Sequence, residues 1–155
     1  METDAVSSLS KATEQETASL MAQATEAKER LKVGQEYLRG LFSGGTLASE
    51  ALIVWHDIMG DVRSNVAVDP QLKLADATHS QGHCAVDLGE DEFTVGRPHP
   101  MIDNDLRIRR LMQEARDPEV AVIVLDVVLG YGAQPDPAGE LGPAIHQARQ
   151  LAANE

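Results

Sequence analysis

Three short apolar runs alternate along the chain with segments whose apolar residues recur at helical spacing. The runs are EYLRGLF at residues 36–42, HCAVDL at 83–88 and VAVIVLDVV at 120–128. Strands separated by helices pair in parallel through right-handed crossovers. The pattern therefore predicts an α/β fold, a flavodoxin-like doubly wound parallel sheet with three core strands in the order 2-1-3. One further extended piece is expected near residues 65–68.

A long N-terminal helix is predicted over residues 5–33, which contain neither Pro nor Gly. Its strongest apolar positions form one helical stripe, made of Leu20, Ala24, Ala27 and Leu31. Gly34 is expected to end the helix, because glycine is the usual residue at a helix C-terminus. We therefore divide the chain into an N-terminal helix or linker, residues 1–34, and a domain of residues 35–155.

Three more helices are predicted within the domain. One covers residues 47–59, and its predicted apolar face comprises Leu47, Ala51, Val54, Trp55 and Ile58. The next covers residues 103–117, with Asp103 as its N-cap. Its predicted buried face comprises Ile108, Leu111, Met112 and Ala115. The last begins at Pro137 with Asp136 as N-cap. The strand before it is so continuously apolar that helices are expected on both of its faces.

The charge balance excludes two classes of ligand. The chain has 155 residues with 13 basic and 25 acidic side chains, a formal net charge of -12. Nucleic acids and anionic membrane surfaces are bound by clustered Lys and Arg, so neither is an expected partner. The single cysteine, Cys84, can form no internal disulfide, which makes a reducing cytoplasm the expected location. No metal-ligand spacing and no signal peptide are visible in the sequence.

Three loops follow the carboxyl ends of the predicted strands, where a doubly wound sheet binds its ligand. Two of them are Gly-rich turns into helices, whose backbone N–H groups suit an anion such as phosphate. Their candidate binding residues are Ser43, Gly44, Gly45, Thr46, Gly130 and Gly132. Each turn taken alone fits a plain connection equally well. Two such turns at one switch point favour an anion site.

The third loop is VDLGEDEFTVGRPHPMID, residues 86–103, which is acidic and carries a single base before its helix. In the binding hypothesis Arg97 supplies positive charge, and His99, held between two prolines, supplies a hydrogen bond or a proton. These two residues are the candidate catalytic residues. The alternative is that Arg97 forms an ion pair with an acidic residue of its own loop: Glu90, Asp91 or Glu92.

Three long segments carry a family resemblance: YLRGLFSGGTLASEA, VDLGEDEFTVGRPHPMID and EVAVIVLDVVLGYGAQPDPAGELGPAI. They resemble FdrA-like proteins, which contain the CoA-ligase domain of the succinyl-CoA synthetase superfamily. The resemblance implies acyl-CoA ligase or carbamoyl/acyl-phosphate transfer chemistry beside other domains, with a link to allantoin catabolism. It also implies phosphate, acyl phosphate or CoA as the ligand of a complex. The family's phosphohistidine belongs to another domain.

Compared with that family, the sequence has no N-terminal CoA-binding Rossmann domain and stops at LAANE, before further strands. We therefore expect an incomplete domain that is inactive alone. A homo-oligomer, or a second chain supplying the other domains, would complete it. The rival hypothesis is a non-catalytic interaction subunit whose open sheet edge binds a partner. A receiver-like role for Asp126 as phosphoryl acceptor is set aside, because the acidic pair and later lysine of receivers are missing.

Overall fold

The computed structural model describes residues 2–154, with side chains from residue 13 onward. The chain forms two compact units, one that ends at Val33 and one that begins at Gly34. The first unit contains α1, Glu2–Glu29, which ends earlier than the predicted residue 33. The N–H groups of Arg30 and Leu31 donate to carbonyls three residues back, so the helix tightens into a turn there.

A four-stranded parallel sheet organises the second unit, with the order β2-β3-β1-β4. The strands are β1 Tyr37–Phe42, β2 Val62–Arg63, β3 His83–Asp87 and β4 Val120–Leu125. The three predicted core strands correspond to β1, β3 and β4, and their observed order is the predicted 2-1-3. The flavodoxin-like topology is therefore confirmed, and the two-residue β2 is added beside β3.

Helices cover both faces of this sheet. They are α2 Gly45–Met59, the single turn α3 Asp91–Thr94, α4 Asp105–Glu114 and α5 Pro137–Asn154. On one face α4 and α5 cover the larger core, whose buried residues include Leu41, Cys84, Val86, Leu111 and Ala144. On the other face α2 closes a smaller core, built from Phe42, Ala48, Val62 and Ala85. The α3 turn lies in what the sequence predicted to be an irregular loop.

The extended piece predicted at residues 65–68 is wrong, because the strand in this segment is β2, three residues earlier. The side chain of Asn65 explains why the strand stops. Its Oδ1 accepts the backbone N–H of Asp87 and its Nδ2 donates to the Asp87 carbonyl, both at 2.9 Å. The Asn65 carboxamide thus forms the two backbone hydrogen bonds at the end of β3 that a neighbouring strand would otherwise form.

The predicted N-cap of α4 is wrong by one residue. The helix begins at Asp105, and its N-cap is Asn104, which makes no side-chain capping bond. Asp103, the predicted cap, still accepts the N–H of Asp105 on its Oδ1 at 2.8 Å. Asp103 therefore accepts one of the free N–H groups at the start of α4, from the position before the N-cap. Of the predicted buried face, Leu111 and the C-cap residue Ala115 are buried, and Ile108 and Met112 are partly buried against the same core.

The predicted apolar face of α2 is confirmed for Ala51 and Trp55 but wrong for its other three residues, because the helix is rotated about its axis. Ala48 is its only fully buried residue among those described. Partly buried Ala51, Leu52 and Trp55 pack beside it. Three predicted face residues are instead exposed, namely Leu47 at 43%, Val54 at 54% and Ile58 at 73%. The rotation brings the Trp55 ring onto β1, where Gly40 leaves room for it.

Gly40 is the residue that permits this contact. A Cβ at position 40 would lie 2.7 Å from a Trp55 ring carbon and 2.5 Å from a Phe42 ring carbon. We expect Gly40→Ala to lower the free energy of unfolding by about 1–3 kcal/mol through overpacking. Gly142→Ala is the control, because its added Cβ meets no atom within 4 Å outside α5. That change should alter the free energy of unfolding by less than about 1 kcal/mol, because the higher helix propensity of alanine is opposed by the contact of its Cβ with Pro143. Equal unfolding midpoints in urea for the two variants would contradict this account.

β4 is the edge strand, as the predicted order requires, but it ends at Leu125 rather than at residue 128. Ile123 and Leu125 pack on the larger core, while Val122 is 49% exposed. The expectation of helices on both faces is therefore only partly met. The physical reason is that α2 lies over β1, β2 and β3.

A buried ion network lies beneath α4. Glu114 Oε2 accepts Arg39 Nε at 3.2 Å, and Glu114 Oε1 accepts Arg110 Nε at 2.6 Å. Ser80 Oγ also donates to Glu114 Oε1 at 2.6 Å. The neighbouring thiol of Cys84 is fully enclosed, and its burial raises its pKa. Because the thiolate is the reactive form, this position suits a structural cysteine.

Candidate functional site

The carboxyl ends of three strands form a crevice at one edge of the sheet. Ser43 directly follows β1, Asp87 ends β3 and Asp126 directly follows β4. The direction of winding reverses between β1 and β4, and ligands of doubly wound sheets bind at such a point. The polar side chains that meet here therefore define the candidate site.

Asp126 closes the crevice at the switch point by binding Ser43 and Arg107. The Ser43 N–H donates to Asp126 Oδ1 at 2.9 Å, and the Ser43 hydroxyl donates to Oδ2. Arg107 Nη2 donates to Asp126 Oδ1 at 2.9 Å and also to the Asp126 carbonyl. All three side chains are buried. The Ser43 N–H is thus used within the chain, which differs from the expectation that it faces an anion.

Arg107 also connects α4 to α5. Its Nη1 lies 3.4 Å from Asn104 Oδ1, and Asn104 Nδ2 donates to Glu140 Oε2 at 2.9 Å. Burial lowers the pKa of Arg107, and the charge of Asp126 opposes that shift. Arginine nevertheless stays charged in proteins. Arg107 is therefore the ion-pair partner of the Asp126 carboxylate rather than a candidate ligand-binding residue.

Asp87 is the second buried carboxylate of the crevice. Its Oδ1 accepts the N–H of Gly89 at 2.8 Å. Its Oδ2 faces the start of α2, since a Cβ added to Gly45 would lie 3.1 Å from that oxygen. Burial raises the pKa of Asp87; the Gly89 N–H and His99 act to lower it, and Asp126 acts to raise it. A buried carboxylate therefore stands at the N-terminus of a helix.

His99 lies at the same crevice. A Cβ added to Gly89 would lie 2.8 Å from His99 Nε2 and 2.8 Å from the Ser43 carbonyl oxygen. The backbone N–H of Met101 donates to His99 Nδ1 at 3.2 Å, so the neutral ring carries its proton on Nε2. The structure thus brings the predicted histidine beside the end of β1, with its Nε2 available as a donor.

Arg97 is exposed on the loop before His99. Its backbone N–H donates to Thr94 O at 3.0 Å. Among the side chains described, the ion pairs do not include one between Arg97 and an acidic residue of its loop. The structure therefore does not show the alternative interpretation, an ion pair of Arg97 within its own loop. The role of Arg97 toward a ligand stays a prediction.

The N-terminus of α2 retains N–H groups for an anion. Gly44 precedes the helix in an extended conformation and makes no side-chain capping bond. The Ala48 N–H is the first to donate back, to Gly44 O at 3.4 Å. The earlier N–H groups of Gly45, Thr46 and Leu47 consequently have no partner within the helix. No acidic residue stands in its first turn.

The second Gly-rich turn is exposed and joins the same region. Gly130 and Gly132 have φ of 153° and 82°, values that favour glycine. The Gln134 N–H donates to Met101 O at 3.0 Å, which ties this turn to the loop of His99. Asp136 Oδ1 accepts an N–H in the first turn of α5 at 2.9 Å, as predicted for an N-cap. The N-terminus of α5 is therefore already occupied by a carboxylate of the chain.

The sequence reasoning missed Asp87 and Arg107, and it considered Asp126 only as a phosphoryl acceptor. A signal for the two aspartates was present, because each is the first charged residue at the carboxyl end of an apolar strand. A signal for the arginine lies in the spacing of the buried face of α4, which comprises Arg107, Arg110, Leu111 and Glu114. These residues have the spacing of one helix face, although three of the four are charged.

Two kinds of feature are absent from the described residues. These residues contain no group of three or more His, Cys, Asp or Glu side chains arranged to hold a metal ion. No described helix combines the length and the apolar character needed to span a membrane.

Fold and crevice together define a class of protein, an α/β protein of flavodoxin-like topology with a polar crevice at its switch point. A family model described as CoA-ligase matches residues 41–154, which include all of these crevice residues. The chain therefore belongs to the CoA-ligase family and is a succinyl-CoA synthetase-like domain.

One relative is a longer protein. The chain is 49% identical over 130 residues to the "Uncharacterized protein YahF" of Escherichia coli (strain K12). The alignment covers 84% of this chain and 25% of that protein. The chain thus spans about a quarter of the length of this curated relative.

Proposed function

We propose that this chain is an FdrA-like domain that takes part in acyl-CoA ligase or carbamoyl/acyl-phosphate transfer chemistry within a larger assembly. The observation that carries the proposal is the open N-terminus of α2 at the switch point, inside the segment matched by the CoA-ligase model. Helix N-termini bind phosphate groups through free N–H donors and the helix dipole. An acyl phosphate or its phosphate product can accept hydrogen bonds from these free N–H donors.

In this proposal the anion lies on the N–H groups of Gly44, Gly45 and Thr46. His99 Nε2, which carries the proton of the neutral ring, donates to an oxygen of the ligand. The exposed guanidinium of Arg97 closes over the ligand from the adjacent loop and supplies the positive charge that the crevice otherwise lacks. The turn at Gly130 and Gly132 contributes further backbone N–H groups from the opposite side.

The larger assembly is part of the proposal. The relative in Escherichia coli (strain K12) is about four times as long as the matched region. We propose that a second chain with synthetase-like domains, or another copy of this chain, works beside this domain in the cytoplasm. Nitrogen catabolism from allantoin is the proposed context. An affinity purification from native lysate, followed by mass spectrometry, should recover such a chain, and recovery of this chain alone as a monomer would contradict the assembly.

The anion site has a direct test. Arg97→Ala should weaken binding of inorganic phosphate and of acetyl phosphate at least tenfold in calorimetry, because the charge-assisted contact is lost. Arg116→Ala is the matched control: this exposed arginine follows α4 at the opposite end of the sheet, where its Nη1 donates to a carbonyl of its own helix at 3.0 Å. Equal phosphate affinity in wild type and Arg97→Ala would remove Arg97 from the site.

A non-catalytic interaction subunit is the second candidate. The observations that favour it are exposed apolar surfaces at both edges of the sheet: Val122 of the edge strand β4 is 49% exposed, and β2 at the other edge borders an apolar groove. An apolar groove of about 350 Å³ lies between α2 and the segment after β2, lined by residues that include Ile53, His56, Val66 and Val68. Thermal unfolding separates the two functions, since phosphate or CoA should raise the midpoint only if the crevice binds them.

A further inference from the structure

The chain places a carboxylate of its own at the helix end that the proposed function assigns to an anion. Asp87 is 2% exposed, so little water screens its charge. Its Oδ2 faces Gly45, the first residue of α2, at 3.1 Å from the position of an added Cβ. Its Oδ1 is bound by the Gly89 N–H at 2.8 Å. A second anion at this helix end would therefore meet a like charge in a poorly solvated place.

The groups around Asp87 do not neutralise it. Among the described side chains, no ion pair is formed with this carboxylate. Asp126, after β4, adds negative charge, and Arg107 of α4 is paired with Asp126. On the other side Glu92 of α3 is held by Asn65 at 3.0 Å. The first turn of α2 contributes no acidic side chain.

His99 is the only titratable group among the described residues that acts on Asp87 with positive charge when protonated. No hydrogen bond joins the two described side chains, because His99 Nδ1 accepts from the backbone and Nε2 lies against Gly89. Two groups could therefore couple anion binding to protons, and the experiment has to separate them.

We propose that Asp87 makes anion binding at the α2 N-terminus depend on a proton, so that a dianion binds only together with one proton on the Asp87 carboxyl. This inference rests on the proposed function, which places the anion at that helix end. Burial of the Asp87 carboxyl group also favours its neutral, protonated form. The ligand class that follows is an anion with a hydroxyl or N–H donor next to its charged oxygen, because such a ligand brings the shared proton itself.

Sulfate is the probe that tests this, since it stays a dianion between about pH 5 and about pH 8, so that any pH dependence belongs to the protein. Sulfate affinity, measured by calorimetry, should fall about tenfold for each pH unit above the pKa of Asp87. Asp87→Asn should remove this slope and bind sulfate more tightly at the alkaline end. A slope that persists in Asp87→Asn would overturn the inference.

Two further variants make the result specific. Asp57→Asn changes the net charge equally on the exposed part of α2 and should keep the wild-type slope. His99→Gln should also keep the slope, whatever its effect on absolute affinity. Loss of the slope in His99→Gln with retention in Asp87→Asn would assign the proton to the histidine and overturn the role of Asp87.

The wild-type protein gives an independent measurement that needs no variant. Calorimetry in two buffers of different ionisation enthalpy should show uptake of about one proton for each sulfate bound above the pKa of Asp87. Sulfate binding without proton uptake would overturn the inference and leave the anion site standing. Absence of sulfate and phosphate binding in every variant at every pH would overturn the proposed site itself, and the inference with it.

Discussion

Replacing Arg107 by methionine is expected to lower the free energy of unfolding by about 3–5 kcal/mol. The guanidinium is 2% exposed and its Nη2 lies 2.9 Å from Asp126 Oδ1. Methionine retains much of the apolar stem but leaves Asp126 as a buried charge held only by Ser43. The cost arises because a buried charge that loses its partner keeps its full desolvation penalty. Urea unfolding should show a lower midpoint with an unchanged m value.

Arg109→Met is the matched control, two residues along the same helix. Arg109 pairs with Asp105, but their side chains are 62% and 67% exposed, so the change should cost less than about 0.5 kcal/mol. The double variant Arg107→Met with Asp126→Asn should be more stable than Arg107→Met alone, because it removes the stranded charge. Equal urea midpoints for Arg107→Met and Arg109→Met would show that the buried pair of Arg107 and Asp126 stabilises the fold no more than an exposed pair does.

Glu114→Ala is expected to produce a loss of similar size, about 3–5 kcal/mol. Glu114 is the shared acceptor of two buried arginines, with Arg39 at 3.2 Å and Arg110 at 2.6 Å. After the change, Arg39 retains the Tyr37 ring and Asp117, whose side chain is 31% exposed. Arg110 retains Ser80 and a backbone carbonyl. Two like charges would then remain buried without their common counter-charge.

Glu119→Ala, an exposed glutamate near the start of β4, controls for the loss of one negative charge. A combined apolar replacement of Arg39, Arg110 and Glu114 is expected to be more stable than Glu114→Ala, since removing a whole buried ion cluster avoids the stranded charges. Thermal and urea unfolding measure both. A triple variant that is less stable than Glu114→Ala would show that the two stranded arginines are not the cause of the loss.

The sheet order could be predicted from sequence because it depends on periodic features. Apolar runs of strand length that alternate with helical segments leave few topologies once crossovers are right-handed. The three core strands and their order followed from this, as did the start of α5 at Pro137. The strand order also predicted that the two Gly-rich turns lie at the carboxyl edge of the sheet.

The side-chain contacts of the crevice could not be predicted in the same way. Arg107 lies on a helix face where the pattern scores it as polar and therefore exposed, yet it is 2% exposed. Its burial depends on Asp126, which is 19 residues away in the chain and reaches it only through the packing of α4 on the sheet. A pattern confined to one helix does not contain that partner.

The rotation of α2 has the same kind of cause. Its apolar residues are spread so widely around the helix that several faces could be buried, and the sequence favoured Val54 and Ile58. Packing enclosed the predicted Trp55 against β1, where Gly40 leaves a space that a Cβ would fill, and left Val54 and Ile58 exposed. Complementary shape between two distant segments decided which face was enclosed.

The sequence by itself determined the class of fold, the order of its core strands, the family to which it belongs and the loops that meet at the switch point. Local periodicity and turn residues are enough for the fold, the strand order and the loops, and the family follows from the resemblance of three long segments. Only the tertiary structure decided that Asp126 engages Ser43 and Arg107, and that Asp87 stands at the N-terminus of α2. Electrostatic partners are chosen by proximity in space, where desolvation makes an unpaired charge costly and a paired one tolerable.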